Sequence, residues 1–183
     1  DTALYVKLSQ GKVFIDEEKE LSFYERGWNL LDELGYAQYE ISNFAKPDAE
    51  CRHNMNTWRM HEWIGCGPSS ASQYDGERYQ RPANLEEWCL GMESTTSPKT
   101  ERITLDDNLL LSDAVIFGLR MNSGVDLKTL NLRFAHATNR IDLETKLKFF
   151  EKEGLLKSKN THYKLTHQGR LLCDSLGSNL LDV

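Results

Sequence analysis

The sequence predicts two units: an α/β segment over residues 1–100 and a small α+β domain over residues 101–183. Three observations predict them. An amphipathic helical pattern passes through Gly35 straight into an apolar run, YAQYEISNF, a helix-to-strand connection as short as those of barrels and doubly wound sheets. A polar string, STTSPKT at 94–100, coincides with a change in charge: residues 1–100 carry 10 basic and 17 acidic side chains, residues 101–183 carry 12 and 11. Beyond that string come three helical patterns, a hairpin and a closing helix, the order of a winged-helix module.

Taken in order, residues 4–14 (LYVKLSQGKVF) hold two β-prone runs around SQGK and read as a hairpin or an irregular lead-in. Asp16 is placed to cap a helix, with Glu17, Glu18 and Glu20 at the positive end of its dipole. Leu21, Tyr24, Trp28, Leu31 and Leu34 form its apolar stripe, and Gly35 its left-handed cap. The strand YAQYEISNF follows, then a polar loop after Pro47, MNTWRM, a second strand EWIGCG and the turn-rich PSSASQYDG. Asn84 caps a short helix with Leu85, Trp88 and Met92 on one face. In the second unit a capping box, Thr104 with Asp107, opens a helix to about Met121. NSGV is a turn, residues 127–137 and 141–153 are helices, and Leu143, Leu147 and Phe150 form the buried face of the latter. LLKSKNTHYKLT is a hairpin turning at Lys159–Asn160, and Thr166 caps the last helix.

Composition is that of a globular protein: 183 residues, 39% hydrophobic, 27% charged and a net charge of −6. No run is long enough to span a bilayer, and no secretory leader opens the chain. The chain begins at Asp1 rather than Met and is expected to be a fragment. Cys51, Cys66, Cys89 and Cys173 contain no CxxC or CxxxC spacing, so they form no self-contained zinc or iron–sulfur motif and suit a reducing cytoplasm.

The densest set of reactive side chains, Cys51, His53, Asn54, Trp58 and His61, lies between the two expected strands. His53 has the chemistry of a haem-iron ligand, because a neutral imidazole donates one nitrogen; as a bare pattern it more often reads as a hydrogen-bonded loop residue. Trp58 reads as core rather than as a stacking surface. In the strand reading, Tyr39 and Ile41 face one way and Glu40 and Ser42 the other. Glu40 is then either a ligand-binding carboxylate or a charge paired with Lys or Arg. GCGPSSAS, with two glycines and three serines, is either a binding loop or a tight turn, and is neither GxGxxG nor a P-loop. Lys157, Lys159, Lys164 and Arg170 make the hairpin locally basic. The weak net charge of residues 101–183 favours packing over nucleic-acid contact.

Three strings, GYxxYEISNFAKP (35–47), ECRHNxNxW (50–58) and IGxGPSSxS (64–72) followed by YDG, resemble the HemW/HemN-type radical S-adenosylmethionine (SAM) family. This family is related to oxygen-independent coproporphyrinogen III oxidase, and the resemblance is closest to its HemW haem-chaperone branch. The resemblance implies that residues 1–100 are the last strands and helices of a partial (β/α)6 radical SAM barrel. Residues 101–183 would then be a winged-helix-like C-terminal domain. It implies haem or substrate contacts at His53, Asn54 and Trp58, with Thr57 standing where the family has Tyr. It also places Glu40, Ser42, Asn43, Ile64, Gly65, Gly67, Pro68, Ser69 and Ser70 around a SAM and substrate cavity.

The family's CxxxCxxC motif and early glycine-rich SAM motif are not in these 183 residues. The resemblance therefore implies a C-terminal portion that by itself carries no catalytic residue, holds no [4Fe–4S] cluster and cleaves no SAM. The implied function is to bind haem and deliver it to respiratory haem proteins, in the cytoplasm or peripherally at a membrane. The alternative is oxidative decarboxylation of coproporphyrinogen III to protoporphyrinogen IX. A nucleic-acid partner is not expected.

Overall fold

The computed structural model describes residues 2–93 and 102–181. The lead-in is a helix, α1 (Ala3–Ser9), and not a β-hairpin. Thr2 starts it, its hydroxyl accepting from Tyr5 N at 3.2 Å. A local cap outweighs β-propensity where no strand offers a ladder. The next helix, α2 (Glu17–Glu33), begins as expected at Asp16, whose carboxylate accepts from Lys19 N at 3.0 Å. It ends in a Schellman turn: Gly35 has φ +77°, Tyr36 N donates to Leu31 O and Gly35 N to Asp32 O, both at 2.9 Å. Its apolar stripe is only partly covered: Leu21, Tyr24 and Leu34 are exposed, Trp28 and Leu31 are half-buried, and no residue of the helix is buried.

The run YAQYEISNF is not one strand. Its ends, β1 (Ala37–Gln38) and β2 (Phe44–Ala45), pair antiparallel with each other. The chain turns back because the Glu40 carboxylate accepts from Ser42 N at 3.0 Å and from the Asn43 side-chain amide. Such side-chain bonds to nearby groups compete with a ladder. Glu40 instead forms a single bridge to Met121, and Ile41 N donates to Arg120 O at 3.1 Å.

Residues read as loop form α3 (Arg52–Trp58). EWIGCG is not a strand either; only Trp63 pairs, in one bridge to Gln73. The strand comes later, as β3 (Ala71–Tyr74), which forms a hairpin with β4 (Glu77–Gln80). Asp75 and Gly76 turn it at φ +52° and +72°, the two positive dihedrals a two-residue hairpin favours. α4 (Leu85–Glu93) is capped as expected by Asn84, which accepts from Glu87 N at 3.0 Å. The polar string 94–100, and the boundary read there, lie outside the described residues. β5 (Arg102–Thr104) returns to pair with β4.

α5 (Asp107–Arg120) is capped by Asp106, accepting from Leu109 N at 2.8 Å, and not by Thr104, which is held in the β5 ladder opposite Glu77. Then follow β6 (Val125–Asp126), α6 (Leu127–Arg133), α7 (Arg140–Lys152), β7 (Leu156–Lys159), β8 (His162–Leu165), α8 (His167–Leu171) and α9 (Cys173–Leu181). The sheet order is β6-β8-β7, so the stretch read as the turn NSGV leads into an edge strand. The hairpin turns at Asn160–Thr161, one residue later than expected, with Asn160 at φ +57°. Leu143, Leu147 and Phe150 are buried as expected.

The core is gathered among the elements from α5 onward, where Leu111, Val115, Leu147 and Leu180 are almost fully buried. Met60, at the end of the preceding stretch 52–60, joins it. Arg78 of β4 also reaches these elements, through Asp113 of α5 at 2.7 Å. Among the described residues every strand pairing is antiparallel.

Candidate functional site

The site is built on α3. No side chain caps its start; Cys51 N donates instead to the Tyr39 hydroxyl at 3.4 Å. It ends in a Schellman turn at Met60, which takes φ +56° where glycine is usual, with His61 N donating to Asn56 O at 3.1 Å. A side chain in that conformation costs about 1–2 kcal/mol. Burial of the Met60 side chain in the core offsets it.

The helix presents three faces, set by its 100° step per residue. Asn54 and Trp58 share the face toward α5. The Trp58 ring lies 5.6 Å from that of Phe117, and the Arg120 guanidinium 5.1 Å from the Trp58 centroid. Trp58 is therefore half-buried packing, and its indole N–H is buried without a hydrogen-bond partner. His53 and Thr57 form the second face. His53 is exposed, and its imidazole makes no hydrogen bond among the described residues. The Thr57 hydroxyl donates to His53 O at 3.2 Å, so it is spent within its own helix. His53 and Trp58 thus stand on different faces.

Arg52, Asn56 and Arg59 form the third face and line a cavity of about 600 Å³ with Tyr39, His61 and Asn122. That volume lies within the range of small-molecule sites. Reading this segment as loop hid these residues; as a helix, the i, i+4, i+7 spacing of Arg52, Asn56 and Arg59 marks a polar face. Asn122 had no local signal and is brought in by its N–H, which donates to Tyr39 O at 3.0 Å.

The remaining candidates fall into two groups that no hydrogen bond joins among the described residues. Glu40 is fully buried, with Oε1 held by Ser42 and Asn43 and Oε2 unpartnered; it makes no ion pair with Lys or Arg among the described residues. Ser42 borders a smaller cavity, about 210 Å³, with Trp28, Arg120 and Arg170. The other group, Ile64 to Ser70, is a turn laid on the β3–β4 hairpin. Gly65 N donates to Ser72 Oγ at 3.0 Å, Ser69 N to Pro82 O at 2.9 Å and Ser70 Oγ to Gly67 O at 2.7 Å. A Cβ on Gly65 would meet Ala71 O at 2.3 Å, which requires glycine there. Ile64 and Pro68 are exposed.

Among the described residues no three His, Cys, Asp or Glu side chains are grouped to hold a metal ion. Cys51, Cys66 and Cys89 are exposed on separate segments, and Cys173 is buried, its thiol pushed up to about 11 chiefly by that burial. These cysteines do not fit an iron–sulfur cluster, which needs clustered thiolates. No helix of the described residues is long and apolar enough to cross a membrane.

Residues 105–172 match the family model of the HemN C-terminal domain. A radical S-adenosyl methionine domain-containing protein 1, mitochondrial, from Danio rerio is 35% identical over 133 residues, 68% of this chain and 30% of that protein. The chain belongs to the HemW/HemN family. Other relatives include the heme chaperone HemW of Synechocystis, 34% identical over 59% of this chain and 27% of that protein. The HemW of Bacillus subtilis is 26% identical over 93% of this chain and 45% of that protein. The solved structure of the Escherichia coli coproporphyrinogen III oxidase HemN, a radical SAM enzyme, superposes with a TM-score of 0.71 at 18% identity. It covers 91% of this chain and 42% of that one, a likeness of fold. The chain spans less than half the length of these family members.

Proposed function

We propose that this chain is the C-terminal portion of a HemW-type haem chaperone, with His53 as the haem-iron ligand. The observation that carries the reading is the free, exposed imidazole of His53 on a helix pinned at its end to the core, in a chain whose relatives include proteins named heme chaperones. Haem is here a cargo. A neutral imidazole nitrogen donates its lone pair to iron, and exposure on a short helix leaves the far side of the macrocycle open to an acceptor protein. Trp58 and Asn54 then act indirectly, by seating α3 on α5. The order α5–β6–α6–α7–β7–β8 supports a winged-helix-like domain for the second unit. The partly exposed stripe of α2 supports a first unit that closes a larger barrel. SAM and an iron–sulfur cluster would be held by the longer protein.

The second reading, a coproporphyrinogen III oxidase, draws on the HemN likeness of fold. Under anaerobic conditions the full-length protein, reconstituted with iron, sulfide and SAM, is offered coproporphyrinogen III and, separately, haem. Stoichiometric haem binding without decarboxylated product supports the chaperone. Protoporphyrinogen IX formation without haem binding overturns it.

A further inference from the structure

We infer that the cavity on the third face of α3 grips carboxylates, with Arg52 and Arg59 binding the two propionates of a porphyrin; this rests on the haem reading above. The two arginines stand two helical turns apart, about 10 Å of rise, along one wall. Neither guanidinium has an ion-pair or hydrogen-bond partner among the described residues. Five of the other arginines are engaged: Arg78, Arg102 and Arg120 each hold a carboxylate, and Arg133 and Arg140 hold carbonyl oxygens. A guanidinium is a planar fork matched to a carboxylate, and two unused forks on one wall of a ligand-sized cavity call for a ligand with two carboxylates. The Tyr39 hydroxyl, which accepts from Cys51 N, keeps its own hydrogen to donate. Arg52 and His53 are consecutive, so iron ligand and carboxylate grip sit on adjoining faces of one helix.

Asp48 and Glu50, both exposed, border the same cavity without pairing to either arginine. They lower the local positive potential and select against weakly held anions.

The full-length protein, R52Q/R59Q and D48N/E50Q are titrated with haem and with haem dimethyl ester, followed at the Soret band. The wild type is expected to prefer haem over the ester by about a hundredfold, two charge-assisted contacts at about tenfold each. R52Q/R59Q is expected to bind both ligands alike, as weakly as the wild type binds the ester. D48N/E50Q is expected to tighten haem binding a few-fold. Equal wild-type affinity for haem and ester, or an undiminished preference in R52Q/R59Q, overturns the carboxylate grip and leaves the haem reading standing. No Soret change with either ligand in the wild type removes both. The ester arm does not depend on the variant's fold, and melting curves show whether the variant keeps it.

Discussion

Arg133 of α6 donates to the carbonyl of Met60 at 2.5 Å, and its other terminal nitrogen donates to Arg59 O at 2.8 Å. One guanidinium of α6 thus satisfies the loose end of the helix that carries His53, at the residue whose left-handed backbone terminates it. The position of the candidate site relative to the core depends on this clamp.

Arg133→Ala should therefore lower global stability by about 1–2 kcal/mol, less than a fully buried charged pair because the side chain is partly in solvent. Urea melts followed by circular dichroism measure it. A midpoint equal to that of the wild type would show that Met60 burial alone ends the helix.

Gly124→Ala should be more damaging. Gly124 has φ +76°, and a Cβ there would meet Tyr163 O at 2.2 Å, beside the β6–β8 pairing of the β6-β8-β7 sheet. A loss of about 2–4 kcal/mol is expected. Gly11 at φ +65° has open space around its Cβ position, so Gly11→Ala should cost only the backbone strain, about 1 kcal/mol. Equal losses in the two variants would contradict the close packing.

The capped helices and the β7–β8 hairpin are legible in the sequence, while α1, α3 and the strands before α5 are not, for physical reasons. Asp16, Asn84 and Thr166 cap helices as read, because a cap is a local interaction three residues long. The strands before α5 do not follow the apolar runs YAQYEISNF and EWIGCG, because an apolar run marks burial and not a ladder. Glu40 binds its own neighbours Ser42 and Asn43, and the hairpin signal that does apply, Asp75–Gly76, is embedded in a turn-rich stretch that masks it. At the site, His53, Asn54 and Trp58 were named together, yet the helix places His53 on a different face from the other two. The partly exposed stripe of α2 shows that periodicity marks an apolar face and not what covers it.

Cys173 gives the chain a pH dependence. Burial raises its thiol from 9.0 to about 11, so between those values the unfolded state gives up its proton while the folded state keeps it. Stability from this group is thus full below pH 9 and is lost as pH rises toward 11, by roughly 2–3 kcal/mol. Cys173→Ala should flatten that alkaline slope. In the native protein at pH 8, iodoacetamide should label Cys51, Cys66 and Cys89 and spare Cys173. Rapid labelling of Cys173 would contradict its burial.

The central claim is that His53 ligates haem iron, and the direct test is a haem titration of the full-length wild type and His53→Ala by Soret absorbance. Because the side chain is exposed and unbonded, the substitution should leave the unfolding free energy within about 0.5 kcal/mol of the wild type. The account predicts a stoichiometric ligand-type Soret shift in the wild type and its loss in the variant. An identical shift and affinity in His53→Ala would contradict it.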